Sequence, residues 1–297
     1  EVFAICDAIT VLRDGKYIDA MPIDNVTQDM LIHLMVGREI AELYPKDANI
    51  QIGDTVFEVN GLTREGVFTD VNFKVRSGEI LGFCGLMGAG RTEIMQGIFG
   101  IDKISSGTMK IHGQVIKNPS TKKAIQNKLA MVTEDRLRKG AIHKLPVRVN
   151  VSLAYLDSIC SWGFINTKKE IKDCNKMIKS MDIKVADIEQ ELGSLSGGNQ
   201  QKAIIGRWLL TQPDVLILDE PTRGIDIGAK SEVYKIISSL ARQGKAIIIV
   251  SSELPEVMGI SDRILVVRHG KIVAEKERSE FNEEDLMKYA FGTHKPQ

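Results

Sequence analysis

Short apolar runs recur along the chain and alternate with longer stretches of helical periodicity. Ile80-Leu81-Gly82-Phe83-Cys84, Leu129 to Thr133, Val215-Leu216-Ile217-Leu218 and residues 246–250 read as strands, with Val215–Leu218 fitting one buried on both faces. A helix follows the first run as far as residue 98, and Gly198 to Leu210 and Lys230 to Gln243 read as two more. This alternation predicts an α/β fold with a mostly parallel sheet under helical cover. Val56 to Val59 and Val71 to Val75 alternate apolar and polar residues, as antiparallel partners do. Thr108 to Ile111 followed by His112-Gly113 opens a hairpin, so an antiparallel β subdomain joins the parallel core. Amphipathic stretches rich in Lys and Met fill residues 150–190 and predict an inserted α-helical subdomain, about 140–205 in all.

The ends of the chain carry a repeat. Residues 1–16 lie over residues 256–271 at a constant offset of 255, and nine of the sixteen positions are identical. Ile9 to Leu12, Asp14-Gly15 and Lys16 to Ile18 predict a hairpin with a type I′ turn, matched later by a final hairpin strand at Arg263 to Arg268. Met30 to Val36 reads as a helix stopped by Gly37, and a second helical stretch ends at Gly292. A repeat of this period is domain-sized. The expected organisation is a C-terminal tail of a preceding homologous domain at 1–45, a linker at 46–55, and a second domain at 56–297.

Chemistry concentrates at three places. Gly85-Leu86-Met87-Gly88-Ala89-Gly90-Arg91-Thr92 follows the first strand and fits the phosphate-loop pattern G-x-x-x-x-G-K-[ST] except that Arg91 stands at the Lys position. Glycines there let backbone N–H groups approach a phosphate. Leu195-Ser196-Gly197-Gly198-Asn199-Gln200-Gln201 opens a helix with a hydroxyl and bare N–H groups, which suits an anion. Val215 to Leu218 ends in Asp219 and Glu220, delivering two carboxylates to the edge of the sheet where ligands sit.

Composition narrows the classes. The 297 residues are 43% hydrophobic, which is enough for a full core, and the formal net charge of zero gives no global field for nucleic acid. Cys6, Cys84, Cys160 and Cys174 have no metal-site spacing and read as reduced thiols. No apolar run is long enough to span a bilayer.

Together these motifs resemble the ATP-binding domain of ABC transporters, a P-loop NTPase. Residues 85–92 look like its Walker A, Leu195 to Gln201 like its signature, Leu216 to Glu220 like its Walker B with the following glutamate, and Gly224-Ile225-Asp226 like its D-loop. The longer runs Leu195–Lys202 and Asp219–Lys230 resemble the tandem ATPase subunits of monosaccharide importers. Gly206 to Pro213 leans toward the galactose/methyl-galactoside type over the ribose type.

The resemblance implies ATP and Mg²⁺ as ligands. Gly85, Leu86, Met87, Gly88, Ala89, Gly90, Arg91, Thr92 and Glu93 would hold nucleotide, Thr92 and Asp219 the metal, and Glu220 the attacking water. Ser196, Gly197, Gly198, Asn199 and Gln200 would complete the nucleotide pocket of a facing domain. It also implies a first ABC domain in the same subunit, a membrane permease contacted near Asp135 to Arg138 and by parts of 150–190, and indirect work with a sugar-binding protein. The implied location is peripheral, on the cytoplasmic side of a bacterial membrane, with no nucleic acid.

Four departures stand out. Arg91 replaces Lys and Glu93 a usual Ser or Thr; Glu134 occupies the Q-loop Gln position and Ser252 the switch His position. A hydroxyl cannot replace imidazole as a charge-stabilising group. The expectation is a weakened pocket beside an intact signature. A regulatory or scaffold domain that binds nucleotide without hydrolysing it is the alternative. Phe68, the one candidate to stack on adenine, fits better as core.

Overall fold

The computed structural model describes residues 2–13, 16–27, 30–31, 34, 44 and 50–293. Residues 32–33 and 35–36 of the expected helix Met30–Val36, the turn Asp14-Gly15 and residues 46–49 of the expected linker lie outside the described residues.

The all-apolar runs form the central sheet. Its strands are β5 (Ile80–Cys84), β8 (Leu129–Val132), β11 (Val215–Asp219), β12 (Ala246–Val250), β13 (Arg263–Arg268) and β14 (Lys271–Glu277), in the order β14-β13-β5-β12-β11-β8. Neighbours pair in parallel except β13 with β14. Every residue of β5, β11 and β12 is buried, as strands covered on both faces require. The antiparallel subdomain is a second sheet of β3 (Thr55–Arg64), β4 (Phe68–Arg76), β6 (Ser106–Ile111) and β7 (Gln114–Ile116), in the order β4-β3-β6-β7. Phe73 packs edge-on against Phe57 and Phe83 between the two sheets, with ring centroids 6.2 and 5.2 Å away. Phe68 is fully buried in this same core, so its place there is structural.

Helices cover the parallel sheet. They are α1 (Arg91–Phe99), α2 (Thr121–Gln126), α3 (Val147–Ser152), α4 (Leu156–Ile159), α5 (Thr167–Ser180), α6 (Gly197–Leu209), α7 (Ile227–Arg242), α8 (Leu254–Ile260) and α9 (Glu283–Phe291). The region 150–190 is less helical than its pattern predicts: a two-stranded hairpin, β9 (Cys160–Ser161) with β10 (Phe164–Ile165), interrupts it, and only a buried stripe of Glu170, Cys174 and Met177 docks α5. The sequence reading also missed α2 and α8, which are too short to show a period.

The internal repeat is a structural repeat as well. β1 (Ala8–Arg13) and β2 (Lys16–Pro22) pair residue for residue as β13 and β14 do 255 positions later, and both ladders shift register at the equivalent step, after Val11 and after Val266. The burial differs. Val267 is fully buried beside β5, whereas its counterpart Leu12 is 62% exposed.

Candidate functional site

The carboxyl ends of β5, β11 and β12 converge, and the site is assembled there. The loop from Gly85 to Gly90 leaves β5 and enters α1. Ala89 fixes it: its N–H donates to the Leu86 carbonyl at 3.0 Å and its own carbonyl accepts from Gly270 N–H at 2.8 Å. Gly88 has φ of 75°, and a Cβ built there meets nothing within 4 Å, so the loop presents its backbone to open space. The first N–H groups of α1 have no acceptors within the helix. Met87 is 94% exposed at the loop tip, while Leu86 packs beneath it. Glu93 lies in the first turn of α1, a favourable place for an acid.

Thr92 and Asp219 meet: Thr92 Oγ1 donates to Asp219 Oδ1 at 3.2 Å across the gap between α1 and β11. Asp219 is fully buried and its Oδ2 has no hydrogen-bond partner. Burial pushes its carboxyl up to about 7, against which the Thr92 bond works. Glu220 follows in left-handed backbone, φ 48°, and its N–H donates to the Val250 carbonyl at 2.8 Å. Ser252 Oγ donates to Glu220 Oε2 at 3.2 Å, so the hydroxyl at the switch position reaches the Glu220 carboxylate. Burial raises the Glu220 carboxyl too. An orphaned carboxylate oxygen beside a hydroxyl fits Mg²⁺, which takes one or two protein oxygens and completes its shell with phosphates and water. Among the described residues no group of three or more His, Cys, Asp or Glu could hold a metal ion.

Arg91 behaves differently from a phosphate-loop lysine. It is 8% exposed, and its guanidinium donates to the Ser251 carbonyl at the end of β12. It still lies close enough to hold down the carboxyls of Asp219 and Glu220. Ser251 is itself held from the other side, since its Oγ donates to the buried Glu256, which also accepts from Thr222 Oγ1 at 2.8 Å. Glu134 pairs with Arg223 and adds negative charge near both site carboxylates.

The signature run is placed elsewhere. Ser196 is the N-cap residue of α6 and accepts from Asn199 Nδ2 at 2.9 Å, while Asn199 Oδ1 accepts from Lys184 N–H at 2.8 Å. Gly198 lies against α7, where a Cβ would come within 2.5 Å of the Ala229 Cβ. The Gly197 carbonyl accepts from Arg136 at 3.1 Å. Gln200 turns inward, 7% exposed, and donates to the Leu195 carbonyl at 2.8 Å. Among the described residues no hydrogen bond or ion pair joins 196–200 to 85–93. The chain thus gathers Arg91, Thr92, Asp219, Glu220, Ser252 and Glu134 in one region and holds its signature apart.

Sequence reasoning missed the partners that organise this region. Arg223 and Glu134 are 89 positions apart, and Thr222 and Glu256 are 34 apart, so no local pattern joins them. Arg136, expected to face a partner, is half-buried and turned onto carbonyls of its own chain.

A phosphate loop and acidic strand end on a parallel core, with an antiparallel sheet and a helical insert, define an ABC-type ATP-binding cassette. The ABC transporter family model matches residues 68–223, and the chain belongs to that family. It is 46% identical over 98% of its length to the ribose import ATP-binding protein RbsA of Bacillus cereus, covering 59% of that protein. It is 45% identical over 98% of its length to the galactose/methyl galactoside import ATP-binding protein MglA of Mannheimia succiniciproducens, covering 58% of it. The chain therefore spans less than two thirds of the curated relatives it matches. Among solved structures, a nucleotide-free ATP-binding cassette of an ABC transporter matches with a TM-score of 0.67 at 20% identity, over 80% of this chain and 95% of that one. A dimeric cassette in a post-hydrolysis state with ADP and Pi matches with a TM-score of 0.64 at 19% identity, over 76% of this chain and all of the other.

Proposed function

We propose that the chain is the second ATP-binding cassette of a tandem ATPase driving import of a simple sugar of the ribose or galactose type. It would lie against a permease on the cytoplasmic face of the membrane, with a sugar-binding protein acting through that permease. The observation that carries the site is Asp219: a fully buried carboxylate, bonded through one oxygen to Thr92 and unpartnered through the other, at the end of a strand beside a phosphate loop.

Thr92 and Asp219 would hold Mg²⁺, which supplies charge neutralisation to transferring phosphate. Backbone N–H groups of 86–92 would bind the phosphates. Glu220, aimed by its left-handed backbone and the Ser252 hydroxyl, would orient water. The same pocket is weakened in hydrolysis. Arg91 is committed to the Ser251 carbonyl, and Ser252 offers a hydroxyl where an imidazole would carry charge.

Two observations support a tandem arrangement. The β1–β2 hairpin repeats the pairing of β13–β14 with no further strand on it among the described residues, and Leu12 is open where its counterpart Val267 is buried. The signature at α6 is well formed, yet among the described residues no hydrogen bond or ion pair ties it to the chain's own phosphate loop, which supports its completing the first cassette's pocket. A cleft of about 610 Å³ between α2 and residues 153–158, crossed by the Lys122–Asp157 ion pair, offers a concave surface for the permease. Exposed Arg138 is a better permease contact than the internally bonded Arg136.

The test is hydrolysis by the full tandem protein, reconstituted with its permease. Losing the first cassette's glutamate, or altering Gly197 here, is expected to abolish turnover, whereas Glu220→Gln should leave a large fraction. Equal loss from either glutamate would contradict the weakened pocket.

A further inference from the structure

Glu134 is a costly residue where it sits. It follows β8 two residues after Val132, which pairs with Leu218 immediately before Asp219, so a triphosphate arriving at this sheet edge meets Glu134 as well as Asp219 and Glu220. An amide at this position would add no charge. The chain answers from the loop after β11. Arg223 reaches across to pair with Glu134, and its neighbour Gly224 accepts through its carbonyl from Arg136 at 3.4 Å. Arg136 also donates to the Gly197 carbonyl at 3.1 Å, and burial lowers its own pKa. Two arginines thus cross in opposite directions: Arg223, just before Gly224, to the segment after β8, and Arg136 from that segment to the carbonyls of Gly224 and Gly197. A cleft of about 450 Å³ lined by Glu134, Asp135, Arg136, Lys139, Arg223 and Gly224 lies at the crossing.

An exposed pair such as Glu134–Arg223, with side chains 39% and 63% accessible, does little for stability. Its position at the mouth of an acidic phosphate site gives it another use. We propose that Arg223 is a positioning residue for nucleotide binding: it neutralises the charge that Glu134 adds and holds that carboxylate at the metal's edge of the pocket. The inference rests on the nucleotide-site reading above. It makes Glu134 and Arg223 a matched pair, in which Glu134 without Arg223 is worse than both or neither.

The test is a double-mutant cycle on the intact chain, read by calorimetric binding of Mg-ATP at low and high salt, without turnover. Arg223→Gln should weaken binding about fivefold at low salt, an effect of surface charges that about 0.5 M salt largely removes. Arg223→Lys should recover part of the loss. Glu134→Gln together with Arg223→Gln should bind within about twofold of the unaltered protein, because charge and countercharge leave together. Unchanged affinity in Arg223→Gln, or losses that add in the double variant, would overturn the pairing. Absence of binding by the unaltered protein would remove the nucleotide reading itself, and the two failures are distinguishable.

Discussion

Asp219 is the residue on which the site turns. Its carboxyl is pushed up to about 7 from an ordinary 3.8, because burial disfavours the charge more than the Thr92 bond favours it. The folded chain therefore holds a proton that the unfolded chain has lost between those values. Stability from this group is fully present below about pH 4 and is lost as pH rises through 7. Asp219→Asn should flatten that dependence and raise the thermal midpoint at pH 8, by an amount on the order of 2 kcal/mol in stability. The same variant should lose the stabilisation that Mg-nucleotide gives the unaltered protein, since metal binding needs the ionised carboxylate. A midpoint that falls with the Asn variant at pH 8 would contradict the burial argument. Arg91 provides the second residue-scale test. Arg91→Lys frees the Ser251 carbonyl and puts an ammonium at the loop, where it suits phosphate as a point charge. Mg-ATP affinity should tighten, and calorimetry decides.

At the scale of elements, glycine separates packing from conformation. A Cβ at Gly198 drives α6 away from Ala229 on α7, so Gly198→Ala should cost about 1–3 kcal/mol of stability, read from urea unfolding. Gly88→Ala meets no atom and carries only the cost of its left-handed backbone, about 1 kcal/mol. Its larger effect should fall on nucleotide affinity. Arg207 shows how α6 is tied inward, donating to the carbonyls of Asn150 and Gly140 at 2.6 Å without a carboxylate nearby. Burial lowers its pKa to about 10.

Much of this architecture was legible in the residues. Runs such as Ile80–Cys84 and Val215 to Leu218 announce themselves because burial on both faces leaves no polar position. Thr92, Asp219 and Glu220 stand out in the sequence because each ends a short local motif. What stayed hidden is long-range or short. α2 and α8 span six and seven residues, too few for a period to appear. The inward turn of Arg136 and the reach of Arg223 depend on loops meeting in space, which no spacing along the chain records.

For the whole molecule, the two ends carry one hairpin design in two environments. β13 lies between β5 and β14, while among the described residues β1 pairs with β2 alone, and Leu12 stays open to solvent. In the proposed reading, such a chain has an intact signature to lend and a weakened pocket of its own. Mg-ATP calorimetry with steady-state hydrolysis on the same sample tests that division most directly. Clear binding with negligible turnover is the predicted result. Turnover like that of a typical isolated cassette would contradict it, and would make Arg91, Glu134 and Ser252 working substitutes for the residues they replace.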